Sequence, residues 1–288
     1  MAARPRTLPA AIAPVLVGTA AAVQSAGELP RWAAFLAALV GSIFIQIGTN
    51  LANDYSDARR GADTADRLGP VRVTSAGLVT PRRVLTATWI AFAVAVACGV
   101  YLAIVAGPVI LAVGAVSIAA GVLYTGGPRP YGYAGLGEVF VFLFFGLVAV
   151  NGSYYVQLEE LDALPLGLSI AIGFLATAII VVNNVRDVET DRRAGKNTLA
   201  VRVGRGNAVA LYAVLVLGSF AVLPIAIWAG ESEWWPLLGL AALPLAVGPI
   251  RTVRTRTDGP ALNGALAGTG ALLGVFSILV TIGLLISA

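Results

Sequence analysis

A chain of 288 residues that is 58% hydrophobic and only 12% charged cannot cover a water-facing surface, so a soluble globular protein is excluded. The absence of histidine removes the commonest zinc ligand and the usual neutral-pH general base, and the one cysteine, Cys98, leaves no disulfide framework or thiolate metal cluster. A net charge of +4 in such a chain reports membrane orientation and not a nucleic-acid partner.

Apolar runs repeatedly reach the ~20 residues needed to cross ~30 Å of hydrocarbon. In chain order they predict nine transmembrane helices at about 8–25, 32–53, 84–105, 108–125, 135–157, 165–183, 207–229, 234–250 and 261–287. The fold expected is all-α, a polytopic bundle in the lipid bilayer that forms a single domain over residues 1–288. The opening MAARPRTLPA lacks a small-residue cleavage pattern after a short apolar core, so no removable signal peptide is expected. Between 84 and 125 only Gly107 and Pro108 interrupt the apolar run, which is too long for one span and predicts a hairpin.

With the N-terminus in the cytoplasm, nine spans place every Lys and Arg except Arg31 on the cytoplasmic side, where basic residues in short loops belong. The outer connections are short and mildly acidic, with Trp32, Trp228, Trp234 and Trp235 at the level of an interfacial aromatic belt. Two long inner loops, at about 54–83 and 184–206, hold all the cytoplasmic acids except Asp258. Function is therefore expected on the cytoplasmic face of the cell membrane.

The first loop carries the stretch NLANDYSDARRGADTADRLGPVRVTSAG (50–77), which begins at the end of the preceding span, and the second likewise carries NNVRDVETDRRAGK (183–196). If the helices continue past the membrane surface, Asn53 and Asp57 lie one turn apart, and Asn183, Asp187 and Asp191 form one stripe. The motif recurs four spans on, which points to an internal duplication. Like charges one turn apart destabilise a helix unless something neutralises them. Without histidine the neutralising ion must be oxygen-bound, and Mg²⁺ takes carboxylate and amide oxygens while completing its shell with substrate phosphate. Arg67, Arg72, Arg192, Arg193 and Lys196, interleaved with the acids, would take the remaining phosphate charge. A solvated face explains one such loop equally well, but matching Asn/Asp spacing in two loops favours metal and phosphate.

A diphosphate at the mouth of an apolar bundle implies a substrate whose remainder enters the membrane, as an isoprenoid diphosphate does. Its loss of diphosphate would leave an allylic cation to be shielded from water. Glu138 is the one acid expected within a span, either lining the site or paired with Arg129. Tyr124, Arg129, Tyr131 and Tyr133 lie in the short inner connection before it, placed to stack on an aromatic acceptor or face the cation, or else to form an interfacial belt. Arg4 and Arg6 either set topology or close the site. A secondary transporter would place its ionisable groups near the bilayer midplane, whereas these cluster at one face.

NDYSD in the first motif, with DVETD and GKNTLAVRVG in the second, resembles the UbiA superfamily of intramembrane aromatic prenyltransferases. RPRTLPAAIAPVLVGTA, NDYSDARRGADTADRLGPVR and YTGGPRPYGYAGLGEVFVFLFFG are most similar to its branch with 1,4-dihydroxy-2-naphthoate as acceptor, a likeness running from Arg4 to about Gly204. The resemblance implies transfer of a polyprenyl group from polyprenyl diphosphate to that acceptor with decarboxylation, giving demethylmenaquinone in menaquinone biosynthesis. It implies Mg²⁺ on Asn53, Asp57, Asp63, Asp187 and Asp191, and diphosphate on Arg67, Arg72, Arg192 and Lys196. Asp57, Asp187 and Lys196 would be catalytic, and Tyr124, Arg129, Tyr131 and Glu138 would bind the acceptor. The family's Asn-x-x-x-Asp-x-x-x-Asp pattern falls on Asn53, Asp57 and Gly61, so Asp63 stands in for the third acid. Other acceptors, such as 4-hydroxybenzoate, a chlorophyllide or a haem, remain open on the residues alone.

Overall fold

The structure, a computed structural model, describes residues 4, 7–61, 68–69 and 72–288, and every regular element among them is helical. Asp63 and Arg67 lie outside the described residues. Eight helices are long and apolar enough to cross a membrane: α1 (Pro9–Ala26), α2 (Trp32–Arg59), α3 (Pro81–Ala106), α5 (Gly137–Leu158), α6 (Ala163–Arg193), α7 (Arg205–Ala229), α8 (Trp235–Thr255) and α9 (Gly259–Ile286). The remaining predicted span is α4 (Val109–Leu123), apolar but only 15 residues long. At 1.5 Å per residue that is about 22 Å, less than a full hydrocarbon core. Gly107 turns the chain between α3 and α4 with φ +91°, a conformation that a side chain would strain, so the expected hairpin forms where expected.

Helix α6 is the hub, buried over 72% of its apolar stretch against 22% for α2. It packs along α7 and also meets α1, α5 and α9, while α2 pairs with α3. In lipid, close approach depends on small residues. A Cβ on Gly146 of α5 would lie 2.7 Å from the Gly173 Cα of α6, so glycine alone permits that crossing. Around Gly146, α5 widens into a π-helical stretch, Phe142–Val148, before returning to α geometry. The outward surface carries Trp89, Ile104, Val214 and Ile278, an apolar wall that suits contact with lipid tails and not with water.

Both motifs are helical. Helix α2 runs on to Arg59 and α6 to Arg193, so the loops begin later than the expected 54 and 184. The helices survive their clustered acids because buried cations meet the carboxylates, as described next.

Candidate active site

A cavity of about 560 Å³ lies among α1 to α6. Its polar wall includes Arg4, Gln46, Asn50, Asn53 and Asn183, and its apolar wall includes Ala38, Gly99, Leu102, Ile110 and Phe144. From Asn53 to Ala38 along α2 is about 22 Å by helical rise, so the cavity is deep and polar at one end.

One turn beyond the cavity-lining Asn53, Asp57 is 1% exposed and is the most heavily shared group. Its Oδ2 accepts from Arg72 Nη2 at 2.8 Å and faces Lys196 Nζ at 3.4 Å, and its Oδ1 accepts from the Tyr133 hydroxyl at 2.6 Å. Lys196 also lies 4.8 Å from the centre of the Tyr133 ring. These contacts bring the first motif, the segment after it, the connection before α5 and the chain beyond α6 to one point. Charge-assisted bonds in a water-poor setting are the strong kind. Lys196 is delivered by the turn that ends α6, where its N–H donates to the Asp191 carbonyl at 2.9 Å and Gly195 takes φ +70°.

Asp54, one turn before, has a different task. Its two oxygens accept from the backbone N–H groups of Thr74 and Val73 at 3.0 and 3.1 Å, pinning the returning chain so that Arg72 reaches Asp57. Asn53 Oδ1 accepts from Thr125 Oγ1 at 2.9 Å and lines the cavity.

In the second motif Asp187 is bound by its own neighbour, Arg186, through Nε at 2.8 Å and Nη2 at 2.5 Å. Asp191 is half-buried, with Thr198 Oγ1 at 3.4 Å from its carboxylate. Asn184 Nδ2 donates to Glu138 Oε1 at 2.8 Å, so the buried Glu138 pairs with Asn184 and not with Arg129 as the alternative reading had it. Its Oε2 has no hydrogen-bond partner among the described residues. Glu138 is not part of the cavity wall, and Arg129 is exposed.

Tyr124 and Tyr131 do line the cavity, their rings edge-to-face at 5.4 Å, and Tyr131 stacks on Phe140 at 3.9 Å. Burial pushes the Tyr131 phenol above its ordinary value, so it stays a neutral donor, here to the Ala120 carbonyl at 2.9 Å. Arg192 is not brought to the cluster: it is exposed and paired with Glu189 at 3.0 Å, because it projects from the outer side of α6. Sequence reasoning passed over Arg186, Tyr133 as a partner of Asp57, and Thr125. Arg186 carried a signal in its place between Asn183 and Asp187, yet read only as a topology charge.

Every described side chain expected to hold a metal offers oxygen: Asn53, Asp57, Asp187 and Asp191, with Asp63 outside the described residues. Among the described residues no three acidic side chains converge into a complete cage. That donor chemistry fits Mg²⁺, which commonly takes one or two carboxylates and draws its remaining ligands from water and phosphate.

The chain matches the UbiA prenyltransferase family over residues 11–266. It is 45% identical to the 1,4-dihydroxy-2-naphthoate octaprenyltransferase of Mycobacterium tuberculosis, over 96% of this chain and 93% of that one. Against the 1,4-dihydroxy-2-naphthoate octaprenyltransferase of Escherichia coli the identity is 40%, over 94% and 90% respectively. A solved UbiA homolog from Archaeoglobus fulgidus bound to GPP and Mg²⁺ shares the fold, with a TM-score of 0.62 at 16% identity over 97% of this chain and 98% of that one. A deep apolar cavity headed by two acidic helix ends thus sits in a chain aligned along nearly its whole length with such enzymes, and the chain belongs to the UbiA prenyltransferase family.

Proposed function

We propose that the protein transfers a polyprenyl group from polyprenyl diphosphate to 1,4-dihydroxy-2-naphthoate, with the acceptor's carboxyl group leaving as CO₂, in menaquinone biosynthesis. The observation that carries this reading is the buried group of Asp57, Arg72, Lys196 and Tyr133, one helical turn beyond Asn53, which lines the polar end of an apolar cavity. The reaction takes place at the cytoplasmic side of the cell membrane, where the basic residues lie.

Arg72 and Lys196 receive the diphosphate. As the bond between the prenyl carbon and the diphosphate oxygen breaks, its electron pair leaves with the diphosphate, and the two cations take up the added charge. Asn53 and Asp57 on α2 and Asp187 and Asp191 on α6, with Asp63 assigned by resemblance, would hold Mg²⁺, which would supply further neutralisation of the leaving group. The cavity keeps water from the developing allylic cation, and the faces of Tyr124 and Tyr131 attract it by up to ~2 kcal/mol when desolvated. The electron-rich ring of the acceptor then closes the new carbon–carbon bond. Of the four groups proposed for the acceptor, the two tyrosines line the cavity, which supports that role, whereas Arg129 and Glu138 lie off its wall.

Purified protein given Mg²⁺, polyprenyl diphosphate and 1,4-dihydroxy-2-naphthoate should release CO₂ and form a product recovered as demethylmenaquinone. Prenylated 4-hydroxybenzoate formed in its place would overturn the acceptor. Asp57→Asn and Asp187→Asn should each lower turnover more than about tenfold in folded protein. Full Mg²⁺-dependent turnover in both variants would remove the metal assignment.

A further inference from the structure

Arg186 is 4% exposed, and its guanidinium is fully engaged. Nε and Nη2 donate to the two oxygens of Asp187, Nη2 also reaches Asn183 Oδ1 at 2.8 Å, and Nη1 donates to Asn263 Oδ1 at 2.7 Å. Adjacent residues on a helix point in different directions. The guanidinium must therefore fold back along α6 to reach Asp187, and the one partner that holds it from outside α6 is at its far nitrogen.

That partner stands in the first turns of α9. Asp258 caps this helix by accepting from the Ala261 N–H at 3.0 Å, which fixes where Asn263 stands. The other half of the Asn263 amide is also used: Nδ2 donates to the Leu68 carbonyl at 2.9 Å, on the segment that follows the first motif. The same segment presses on the start of α9, where a Cβ on Gly259 would meet the Leu68 Cβ at 3.1 Å. One amide on the last helix therefore touches both halves of the site.

We infer that Asn263 is a positioning residue for the diphosphate end: its carbonyl orients Arg186, and through it the Asp187 carboxylate, while its amide fixes the chain just beyond the first motif. The inference rests on the function proposed above, which places Asp187 at the metal and diphosphate. Without Asn263, Arg186 Nη1 loses its buried acceptor, and the Arg186–Asp187 pair keeps only contacts within its own helix, with nothing from α9 to fix its direction.

Thermal unfolding of the full chain in detergent, with and without Mg²⁺ and inorganic diphosphate, tests this alongside steady-state kinetics. The wild type should melt at a higher temperature with the pair of ligands. Asn263→Ala should melt within about 2 °C of wild type when unliganded, lose more than half of the ligand-induced shift, and show a KM for prenyl diphosphate raised about tenfold, the effect of one charge-assisted hydrogen bond. Its KM for the acceptor should stay within about twofold, since the tyrosines are untouched. Asn263→Asp keeps an oxygen for Arg186 but cannot donate to Leu68, and should retain more than half of the shift. An alanine variant with unchanged shift and KM overturns the inference, as does one whose unliganded melting and both KM values worsen together, the mark of packing alone. Should the alanine variant not fold, an aspartate variant that melts normally but has lost the shift overturns it equally. No shift in the wild type would instead sink the diphosphate reading on which the inference stands.

Discussion

Tyr133 joins more of the site than any other uncharged residue. Its hydroxyl donates to Asp57 at 2.6 Å, its ring lies under Lys196, and its carbonyl accepts from the Asn197 N–H at 2.9 Å. Tyr133→Phe keeps the ring and the backbone link and removes only the hydroxyl. A hydrogen bond to a charged group is worth ~1.5–3 kcal/mol, so the melting temperature should fall by several degrees, and kcat/KM should fall about tenfold because the hydroxyl no longer orients Asp57. Arg192→Ala provides the contrast. Its exposed pair with Glu189 is of the weak surface kind, and turnover should stay within about twofold of wild type. The sequence marks Asp57, Asp187, Arg72 and Lys196 as chemistry because charge is scarce in this chain. It does not separate Tyr133 from Tyr131, or Arg192 from Arg186, since those choices depend on which side of a helix meets another part of the chain.

At the scale of elements, the crossing of α5 and α6 shows how little space the bundle leaves. The Gly146 Cβ position falls 2.7 Å from the Gly173 Cα and from the Ser169 carbonyl, so Gly146→Val should push the helices apart. Overpacking of this kind costs ~1–3 kcal/mol, and a melting temperature lowered by several degrees in detergent is the expected result. Span positions are legible in apolar runs because bilayer thickness sets their length. The irregular parts are less so. The eight-residue 3₁₀ opening of α8, Trp235–Ala242, and the π-helical stretch of α5 are set by neighbouring helices, and hydropathy carries no record of them. The continuation of α2 and α6 through their acids was readable from i, i+4 spacing, but the cations that make it tolerable come from elsewhere in the chain.

For the molecule as a whole, the cavity ties the polar end to a depth that a hydrocarbon tail would fill. Gly114 of α4 lines it ten residues before Tyr124, about 15 Å away along the helix, and a Cβ there meets nothing within 4 Å. Gly114→Phe should therefore block the passage without disturbing packing. With a long polyprenyl diphosphate kcat/KM should fall at least about tenfold, while geranyl diphosphate, ending short of the block, should be used within about threefold of the wild-type rate. Equal losses with both chains would show that the tail does not run this way. One turn beyond the other end of the same cavity, Asp57 holds Arg72, Lys196 and the Tyr133 hydroxyl. On the function proposed above, a diphosphate that takes these donors would do so by exchange with a resident anion, and its departure would hand them back. Tight hold on the leaving group would then be compatible with turnover, because the competitor that displaces the spent diphosphate would be part of the protein.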